Sequence, residues 1–341
     1  MAWEHILTEI FLWFGLYSIV AISLNIEYGY AGIPNFGRAL AVLMGAIAVG
    51  GITNRLLIAM FGISGNFAVA SGIVKTEVNE IISSDPYFGI GLIILSIVIA
   101  GILGYITGAI FILPSAKLSE DYLAITLLAI SEVTFMVSYY HPDIIGGYYG
   151  VSTPDVLAFV PGVYRVYIFT LIILFTLVVT YLFAEKLLNT PYGRILRAMR
   201  ENESVVKSYG RDIMVLRVKT VAIGSAIASI SGALYSMYTA NVIASSFSRV
   251  EWTFYPFLMI LLGGLGNNRG VLSGVFAFVV AKVMLTTYKY EIKSTLHLPF
   301  EAVWLEYVLF GIVAILILYY KPEGLIKEKP IITKPIRTRM K

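Results

Sequence analysis

The sequence predicts an all-α fold, a polytopic transmembrane helix bundle of about nine spans within a range of about eight to ten. Hydrophobic residue types make up 58% of the 341 residues and charged types only 13%, whereas about a quarter of a soluble domain is charged. Apolar runs of about 20 residues, the length that crosses a bilayer, recur along the chain. The 30 glycines and 12 prolines are spread through apolar sequence, which is typical of membrane helices that pack closely or break.

The spans follow from these apolar runs in chain order. Long runs lie at 6–26, 88–113, 119–140, 166–186, 217–240 and 302–320, and shorter or interrupted runs lie at 33–52, 252–265 and 270–287. The first run has no basic segment before it and no small-residue cleavage site, so we expect a retained span and not a signal peptide. The sequence thus predicts one transmembrane domain over 1–326, with a loop at about 187–216, and a basic tail at 327–341.

The basic residues indicate which segments face the cytoplasm, because cytoplasmic loops carry an excess of Lys and Arg. They cluster in the loop 186–219 and in the tail after Tyr320, as Lys186, Arg194, Arg197, Arg200, Lys207, Arg211, Arg217 and Lys219, then Lys321, Lys327, Lys329, Lys334, Arg337, Arg339 and Lys341. Both clusters, and therefore the C-terminus, are predicted to be cytoplasmic, and an even number of predicted spans separates them. Segments 53–87 and 141–165 then lie outside, the former without an assigned role, and the turn at 114–118 lies inside.

The side of the N-terminus depends on segment 27–37. If this segment is a full cytoplasmic turn, the N-terminus lies outside the membrane. Its residues Gly29, Gly32, Pro34 and Gly37 could equally mark a helix that is broken within the membrane.

Small residues spaced four apart predict close helix packing. The pairs are Gly104 and Gly108, Gly270 and Gly274, Ser225 and Ser229, and Ala228 and Gly232. Each pair lies on one helical face and lets a neighbouring backbone approach. They indicate a compact bundle and carry no information about what it binds.

Glu132 is a candidate functional residue because it lies near the middle of a predicted span, where a carboxylate is costly. It is either a pathway residue or a structural carboxyl that is bonded to a neighbouring helix. Glu9 and Glu306 lie nearer span ends, and Lys282 can extend toward an interface. For these three residues a structural role is favoured.

Two glycine-dense segments interrupt the apolar pattern, NIEYGYAGIPNFGRA at 25–39 and LLGGLGNNRGVLSG at 261–274. Interrupted helices expose backbone groups, which is tolerated at depth only beside protein or water. For the first segment we favour a pathway element, formed by Asn25, Gly29, Gly32 and Gly37. For the second we favour a plain turn, with helix-breaking and packing glycines at Gly263, Gly264, Gly266 and Gly270.

The segment 189–210, NTPYGRILRAMRENESVVKSYG, is a basic, helix-patterned island. Thr190 and Pro191 fit a helix start, after which Tyr192, Ile195, Leu196 and Met199 share one apolar face. A break at 201–204 precedes a second short face of Val205, Val206 and Tyr209, which ends at Gly210. A helix on the lipid surface is one reading, but Glu201 and Glu203 at the tip favour a protein partner.

Several functional classes find no support. The chain has no cysteine, and His5, His141 and His297 lack metal-ligand spacing, so neither a metal site nor a cofactor is expected. There is no G-x-x-x-x-G-K-[ST] phosphate loop and no serine in a nucleophile-elbow context, so nothing indicates an enzyme. The net charge of +4 reflects cytoplasmic loop bias, and no nucleic-acid partner is expected.

Four segments together resemble a known family. SLNIEYGYAGIPNFGRALAVLMGAIA at 23–48 resembles its SLN-x-x-x-GYAG segment, and DYLAITLLAISEV at 121–133 its YLAI-x-TL stretch. PYGRILRAMRENESVVKSYGRD at 191–212 resembles its YGR loop, and PFLMILLGGLGNNRGVLSG at 256–274 with YYKPEGL at 319–325 its LGGLG and R-P-x-G-L ending. On these motifs the chain resembles the permease subunits of ABC importers for branched-chain amino acids, of the LivM type, a family that also includes ribose-type sugar and urea permeases.

The resemblance implies roles for particular residues. The YGR loop is expected to be a coupling helix that docks on a cytoplasmic ATPase subunit through Tyr192, Gly193, Arg194, Arg197, Arg200, Glu201 and Glu203. The GYAG segment, here Gly29 to Gly32, is expected near the translocation path, and Glu132 matches a glutamate of the family's fourth segment. Arg38 stands where many relatives have histidine, and Pro34 and Asn35 replace small or apolar residues, so the local geometry there is open.

The implied mechanism is alternating access in the cell membrane. A solute-binding protein would deliver an amino acid to a core of two permease subunits, this chain and a LivH-like second one, and separate ATPase subunits would drive reorientation. Within the family the solute stays open between branched-chain amino acids, urea or amides, and sugars. An ion-coupled secondary transporter and a non-transporting membrane scaffold are the alternatives outside it.

Overall fold

The computed structural model describes residues 2–296, 302–321 and 323–328, almost all of them helical. The α-helices are α1 Ala2–Leu24, α2 Arg38–Ala46, α3 Asn54–Met60, α4 Phe67–Ser84, α5 Pro86–Ile112, α6 Glu120–Tyr140, α7 Pro142–Ile145, α8 Gly162–Leu188, α9 Pro191–Glu201, α10 Glu203–Ser208, α11 Ile213–Thr239, α12 Tyr255–Gly263, α13 Asn268–Leu296 and α14 Ala302–Tyr320. The predicted tail 327–341 lies outside the described residues from 329 onward.

The all-α, polytopic fold is confirmed. In the described part of the chain, seven helices are long and apolar enough to cross a membrane: Trp3–Tyr30, Arg38–Met60, Pro86–Ile112, Glu120–Tyr140, Gly162–Leu188, Ile213–Thr239 and Asn268–Ser294. The apolar stretch Trp304–Ile317 of α14 is shorter. The predicted span 252–265 is a π-helical turn, Val250–Phe254, followed by α12; at 1.5 Å per residue it reaches only about 21 Å, less than a bilayer core.

The segment predicted as an outside loop at 53–87 is mostly helical. The second span continues to Met60 through a π-helical segment, Ile47–Thr53, so the connection begins later than the sequence indicated. It then forms α4, which buries one face made of Ala70, Val74, Val78 and Ile82. Because these residues recur every four positions, the helical pattern was present in the sequence.

The segments predicted to lie outside meet at one end of the bundle. The two-residue strands β1 Val151–Ser152 and β2 Asn241–Val242 pair antiparallel there. The Lys75 ammonium of α4 donates to the Ala240 carbonyl (3.1 Å), and the Asp155 amide donates to Asn79 Oδ1 (2.8 Å). Helix α4 and segments 141–165 and 240–242 therefore form one cap.

The segments predicted to lie inside meet at the other end, which we call the basic end and define by α9 and α10. The Arg200 guanidinium donates there to the Gly29 carbonyl, and Arg217 Nη1 donates to the carbonyls of Ala116 and Leu118 at 2.9 and 2.8 Å. The backbone amide of Leu325 donates to the Leu262 carbonyl at 2.8 Å. The loops that the Lys and Arg clusters and the number of spans predict to share one side of the membrane thus lie together at one end of the bundle.

Helix α11 lies at the centre of the bundle, where two of the predicted small-residue pairs face each other. A Cβ on Gly104 would overlap with Ser229 Oγ, and one on Gly108 would lie 2.5 Å from Ser225 Cβ. The buried Ser229 hydroxyl donates to the Ala100 carbonyl at 2.6 Å, so this polar side chain has a hydrogen-bond partner within the core. Helices α5 and α11 are therefore packed backbone to backbone.

On its other side α11 is just as close to α2, which gives a testable prediction for Gly45. A Cβ at Gly45 would overlap with the Ser229 carbonyl oxygen, so Gly45→Val is expected to push α2 from α11 and to destabilise the fold by about 1–3 kcal/mol. The unfolding midpoint in detergent measures this. Gly101→Val on α5, where a Cβ meets nothing within 4 Å, is the matched control and should leave the midpoint unchanged.

Candidate functional site at the basic end

Helices α9 and α10 form an amphipathic loop between α8 and α11. Pro191 occupies the first turn of α9 after Thr190 in the N-cap position, and the Thr190 hydroxyl donates back to the Leu187 carbonyl (2.6 Å). Asn202 lies between the two helices and caps α10 by accepting from the amides of Ser204 and Val205. The predicted break at 201–204 thus consists of one non-helical residue, Asn202, and the two helices follow each other directly.

The inner face of α9 carries the apolar residues that the sequence predicted. Leu196 and Met199 are buried, and Tyr192 and Ile195 are half-buried. Tyr192 shares a 2.7 Å hydrogen bond with Thr220 Oγ1 of α11. Burial raises the pKa of the Tyr192 phenol above its usual value of about 10, so this hydroxyl keeps its proton.

The outer face of the loop differs from the predicted contact set. Arg194 and Glu201 are exposed, with no hydrogen bond or ion pair from either side chain in the described part of the chain, whereas Gly193 is buried. The other four predicted contact residues, Tyr192, Arg197, Arg200 and Glu203, bond within the chain. Two apolar residues of α10 and its end are exposed instead, Val205 and Tyr209 at 48% and 82%. The sequence pattern placed these two on an apolar face with Val206, but only Val206 is buried.

Arg197 and Arg200 bind the C-terminal segment. Arg200 Nη2 lies 2.7 Å from Glu328 Oε2, and Arg197 Nε lies 3.7 Å from Glu328 Oε1. The Arg197 guanidinium also stacks over the Tyr30 ring at 4.8 Å, a favourable cation–π geometry. The same two arginines of α9 thereby contact both the segment beyond α14 and the end of the first span.

Glu203, at the start of α10, binds Arg217 of α11. Its Oε1 accepts from Nη2 and Nε of Arg217 at 2.6 and 3.1 Å. Arg217 is buried and also donates to the α5–α6 turn at Ala116 and Leu118. A groove of about 990 Å³ lies between this turn and α10. Arg217 therefore ties α10, α11 and the α5–α6 turn together.

The two glycine-dense interruptions meet directly beneath α9. Asn25 is fully buried; its Oδ1 accepts from the Gly266 amide (3.0 Å) and its Nδ2 donates to Asn268 Oδ1 (2.9 Å). Asn268 Nδ2 donates in turn to Glu185 Oε1 at 3.0 Å. A Cβ on Gly29 would overlap with Asn25 Oδ1, so glycine is needed for this contact. The first, fifth and seventh long helices are thus joined to the turn at 264–267.

The remaining glycines fall into two groups. Gly32 and Gly37 lie in a connection that is half-buried to buried, between Tyr30 and Arg38. It joins two spans, so residues 31–37 form a turn packed within the protein, and residues 27–30 are the π-helical end of the first span. Gly263 and Gly270 bring α12 and α13 into backbone contact, and Gly264 and Gly266 adopt positive φ values of 113° and 72°. Gly263 and Gly270 thus lie at a close helix contact, and Gly264 and Gly266 lie where the chain leaves α12.

A fully buried ion pair lies beside this connection, and sequence reasoning missed it. Arg38 Nη2 contacts Glu27 Oε2, and both side chains have no exposed surface. Asn35 Nδ2 donates to the same carboxylate oxygen at 2.8 Å. Glu27 Oε1, Nε and Nη1 of Arg38 have no hydrogen-bond partner among the described residues. Two charged residues inside the segment 25–39 were the available signal, but their spacing did not reveal the pairing.

Glu132 pairs with Arg249, which the sequence did not single out. Arg249 Nη1 lies 3.2 Å from Glu132 Oε2. Both residues border a cavity of about 210 Å³ between α2, α6 and segment 247–250. The Thr253 hydroxyl accepts from the Ala39 amide at 2.9 Å, which holds the start of α2 at this cavity. Glu132 therefore shares a cavity with Ala39, the last residue of the first glycine-dense segment.

Lys282 does not extend toward an interface, contrary to the sequence-based interpretation. Its side chain is buried; the ammonium lies 2.9 Å from the Tyr17 hydroxyl, 3.3 Å from Glu251 and 4.0 Å from Glu306. It also lies 5.0–5.2 Å from the ring centres of Trp13, Tyr17 and Tyr255. The two carboxylates and three rings compensate the buried charge.

The described residues contain no group of three His, Cys, Asp or Glu that could hold a metal ion.

Comparisons with known proteins agree with this architecture. Residues 6–318 match the sequence model of the family described as "Branched-chain amino acid transport system / permease component". A protein of Methanocaldococcus jannaschii named "Probable branched-chain amino acid transport permease protein LivM" is 62% identical over 98% of this chain and 97% of its own length.

More distant relatives carry related names. The Escherichia coli "High-affinity branched-chain amino acid transport system permease protein LivM" is 23% identical, over 91% of this chain and 68% of its own length. A "Probable branched-chain amino acid transport permease protein LivH" of Methanocaldococcus jannaschii is 22% identical, over 84% of this chain and 82% of its own length. No solved structure matches. The chain, a multi-pass membrane protein, belongs to the permease-component family of branched-chain amino acid transport systems.

Proposed function

We propose that the protein is a permease subunit of an ATP-binding-cassette importer that forms half of the translocation pathway for branched-chain amino acids. The observation that carries this proposal is the α9–α10 loop, which combines an anchored inner face with an unpaired outer face at the basic end. The relatives named above are permeases of branched-chain amino acid transport, which supports the substrate class. The chain has no phosphate-binding loop, so ATP hydrolysis is assigned to separate cytoplasmic subunits.

The outer face of the loop is suited to an ATPase subunit. Arg194, Ala198 and Glu201 are exposed and recur at intervals of three or four residues within α9, so they form one stripe, and the exposed Val205 of α10 follows beyond the capping residue Asn202. The stripe mixes both charge signs with apolar surface, whereas a helix that lies on lipid concentrates Lys and Arg beside a broad apolar face. We assign this stripe, extended by Tyr209, as the surface that contacts the ATPase.

The inner face of the loop explains how a push on it would reach the spans. Arg200 contacts the end of the first span at Gly29, and Glu203 reaches α5, α6 and α11 through Arg217. The ion pairs with Glu328 add the segment after α14. Displacement of α9–α10 therefore acts on both sides of the bundle at once, and this fits alternating access in which each state has its own contacts.

The further components are assigned from the same reasoning. A LivH-like permease subunit would form the other half of the pathway, because the chain resembles both a LivM and a LivH protein. A solute-binding protein would act at the cap formed by α4 and segments 141–165 and 240–242. The basic end, with the C-terminus, would face the cytoplasm of the cell membrane because it carries the Lys and Arg clusters.

Transport by the purified complex tests the proposal. The permease, its partner permease and the ATPase subunits are reconstituted in proteoliposomes with the solute-binding protein outside. ATP-dependent uptake of labelled leucine, isoleucine and valine is expected, and it should cease when the ATPase subunits are omitted. Uptake driven by an ion gradient without those subunits would establish a secondary transporter. Competition by urea or sugars alone would reassign the substrate.

A further inference from the structure

The cavity beside Glu132 joins one pair of opposite charges to an apolar wall. The wall is formed by Leu40, Leu43, Phe135, Phe247 and Val250, in a cavity of about 210 Å³. The Glu132 and Arg249 side chains are 33% and 50% exposed, although their charged atoms are only 3.2 Å apart. Neither charge is sealed in the core, so a solute in the cavity can reach both.

The cavity lies well inside the membrane-spanning part of the chain. Glu132 is twelve residues after Glu120 and eight before Tyr140 in α6, which places it about 18 and 12 Å from the two helix ends. A charged pair at this depth is costly in lipid and marks a wet pathway. The start of α2, with its partial positive charge, borders the same space at Ala39.

We propose that this cavity binds a zwitterionic α-amino acid during translocation, with Arg249 at the carboxylate, Glu132 at the ammonium group and the apolar wall around an aliphatic side chain. The inference rests on the proposed function and adds a binding site to it. In the empty cavity Arg249 and Glu132 neutralise each other. An entering zwitterion exchanges that one ion pair for two, so no charge is left unpaired at any stage.

The same geometry discriminates against other solutes. A neutral amide or a sugar would have to separate Arg249 from Glu132 without supplying charges, which leaves two poorly paired groups at membrane depth. A carboxylic acid without the ammonium group would compensate only Arg249, and an amine without the carboxylate only Glu132. Both charges of the ligand are therefore required.

The absence of cysteine from the chain allows a direct test by protection from a thiol reagent. Ser248 borders the cavity, and Ser248→Cys is introduced into the reconstituted complex with its partner subunits. The rate of modification is measured on the band of this subunit with leucine, leucinamide, 4-methylpentanoate or no addition. Tyr148→Cys, exposed at the cap, reports on reagent access away from the cavity.

Leucine at ten times its dissociation constant is expected to slow modification of the cavity cysteine roughly tenfold, because the free fraction of one site falls as 1/(1 + [L]/Kd). Leucinamide and 4-methylpentanoate should not protect at the same concentration, and Glu132→Gln or Arg249→Gln should abolish protection by leucine. The cysteine at position 148 should react at the same rate throughout.

Several results would overturn the inference. They are a cavity cysteine that never reacts, equal protection by all three compounds, no protection by leucine, or protection that survives both Gln substitutions. If the wild-type complex takes up leucine while any of these holds, the site assignment fails and the proposed function stands. If the wild-type complex takes up no branched-chain amino acid, the proposed function fails first.

Discussion

Replacement of Arg38 by methionine is expected to lower the free energy of unfolding by about 3–5 kcal/mol, because the change leaves the Glu27 carboxylate buried and without a counter-charge. The pair has no exposed surface on either side chain, and Asn35 supplies the only other hydrogen bond to that carboxylate among the described residues. The measurement is the unfolding midpoint of the purified protein in detergent, followed by tryptophan fluorescence.

The double variant Glu27→Gln, Arg38→Met separates pairing from packing. Since removal of a whole buried ion pair is often neutral or stabilising, the double variant should regain most of the stability that the single variant loses. Arg165→Met, which breaks a pair with Asp155 that is 2.9 Å long but partly exposed, is the matched control and should cost less than about 1 kcal/mol. A double variant as unstable as Arg38→Met would show that methionine itself does not fit.

Charge reversal on the outer face of α9 is expected to release the ATPase subunits. The partner surface is expected to carry charges opposite to Arg194 and Glu201. Arg194→Glu or Glu201→Arg would therefore place like charges against each other, which costs several kcal/mol at an interface. Co-purification of the ATPase subunits and ATP-dependent uptake should each fall by more than tenfold. Because neither side chain bonds to the described residues, the unfolding midpoint of the isolated permease should not change.

The control for this experiment is Glu80→Arg on α4. Glu80 is also exposed but lies in the cap at the opposite end, so this variant should retain its ATPase subunits. Retention of the subunits by both α9 variants would contradict the assignment of the stripe and would leave lipid as the partner of the loop. A lowered unfolding midpoint in either α9 variant would show that its side chain has a structural role.

Much of the fold follows from local features of the sequence. Apolar run length defines the helices, and the pairs Gly104 with Gly108 and Ser225 with Ser229 do face each other as small-residue spacing indicates. The two-faced pattern of 189–210 also gives the buried side of α9 correctly, with Leu196 inside. These features depend on the periodicity of a single helix, which a sequence contains in full.

The long-range pairings could not be predicted in this way. Arg200 with Glu328, Arg217 with Ala116 and Arg249 with Glu132 join residues about a hundred or more positions apart. Which charge meets which depends on the rotation of each helix about its axis, and an apolar run does not specify that rotation. For the same reason the pairing of Arg197 and Arg200 with Glu328 was not predicted, and Lys282 was expected near an interface although it lies buried among aromatic rings.

The ion pairs that Glu328 makes with α9 also impose an order on assembly. Residue 328 leaves the ribosome after every described helix has been made, as do Leu325 and Ile326, whose backbone amides donate hydrogen bonds to the carbonyls of Leu262 and Gly263. Until then Arg197 and Arg200 lack the carboxylate that holds α9 in place. On the proposed assignment of the stripe as the ATPase contact, the chain therefore completes this surface last, and a nascent or truncated copy lacks the finished surface.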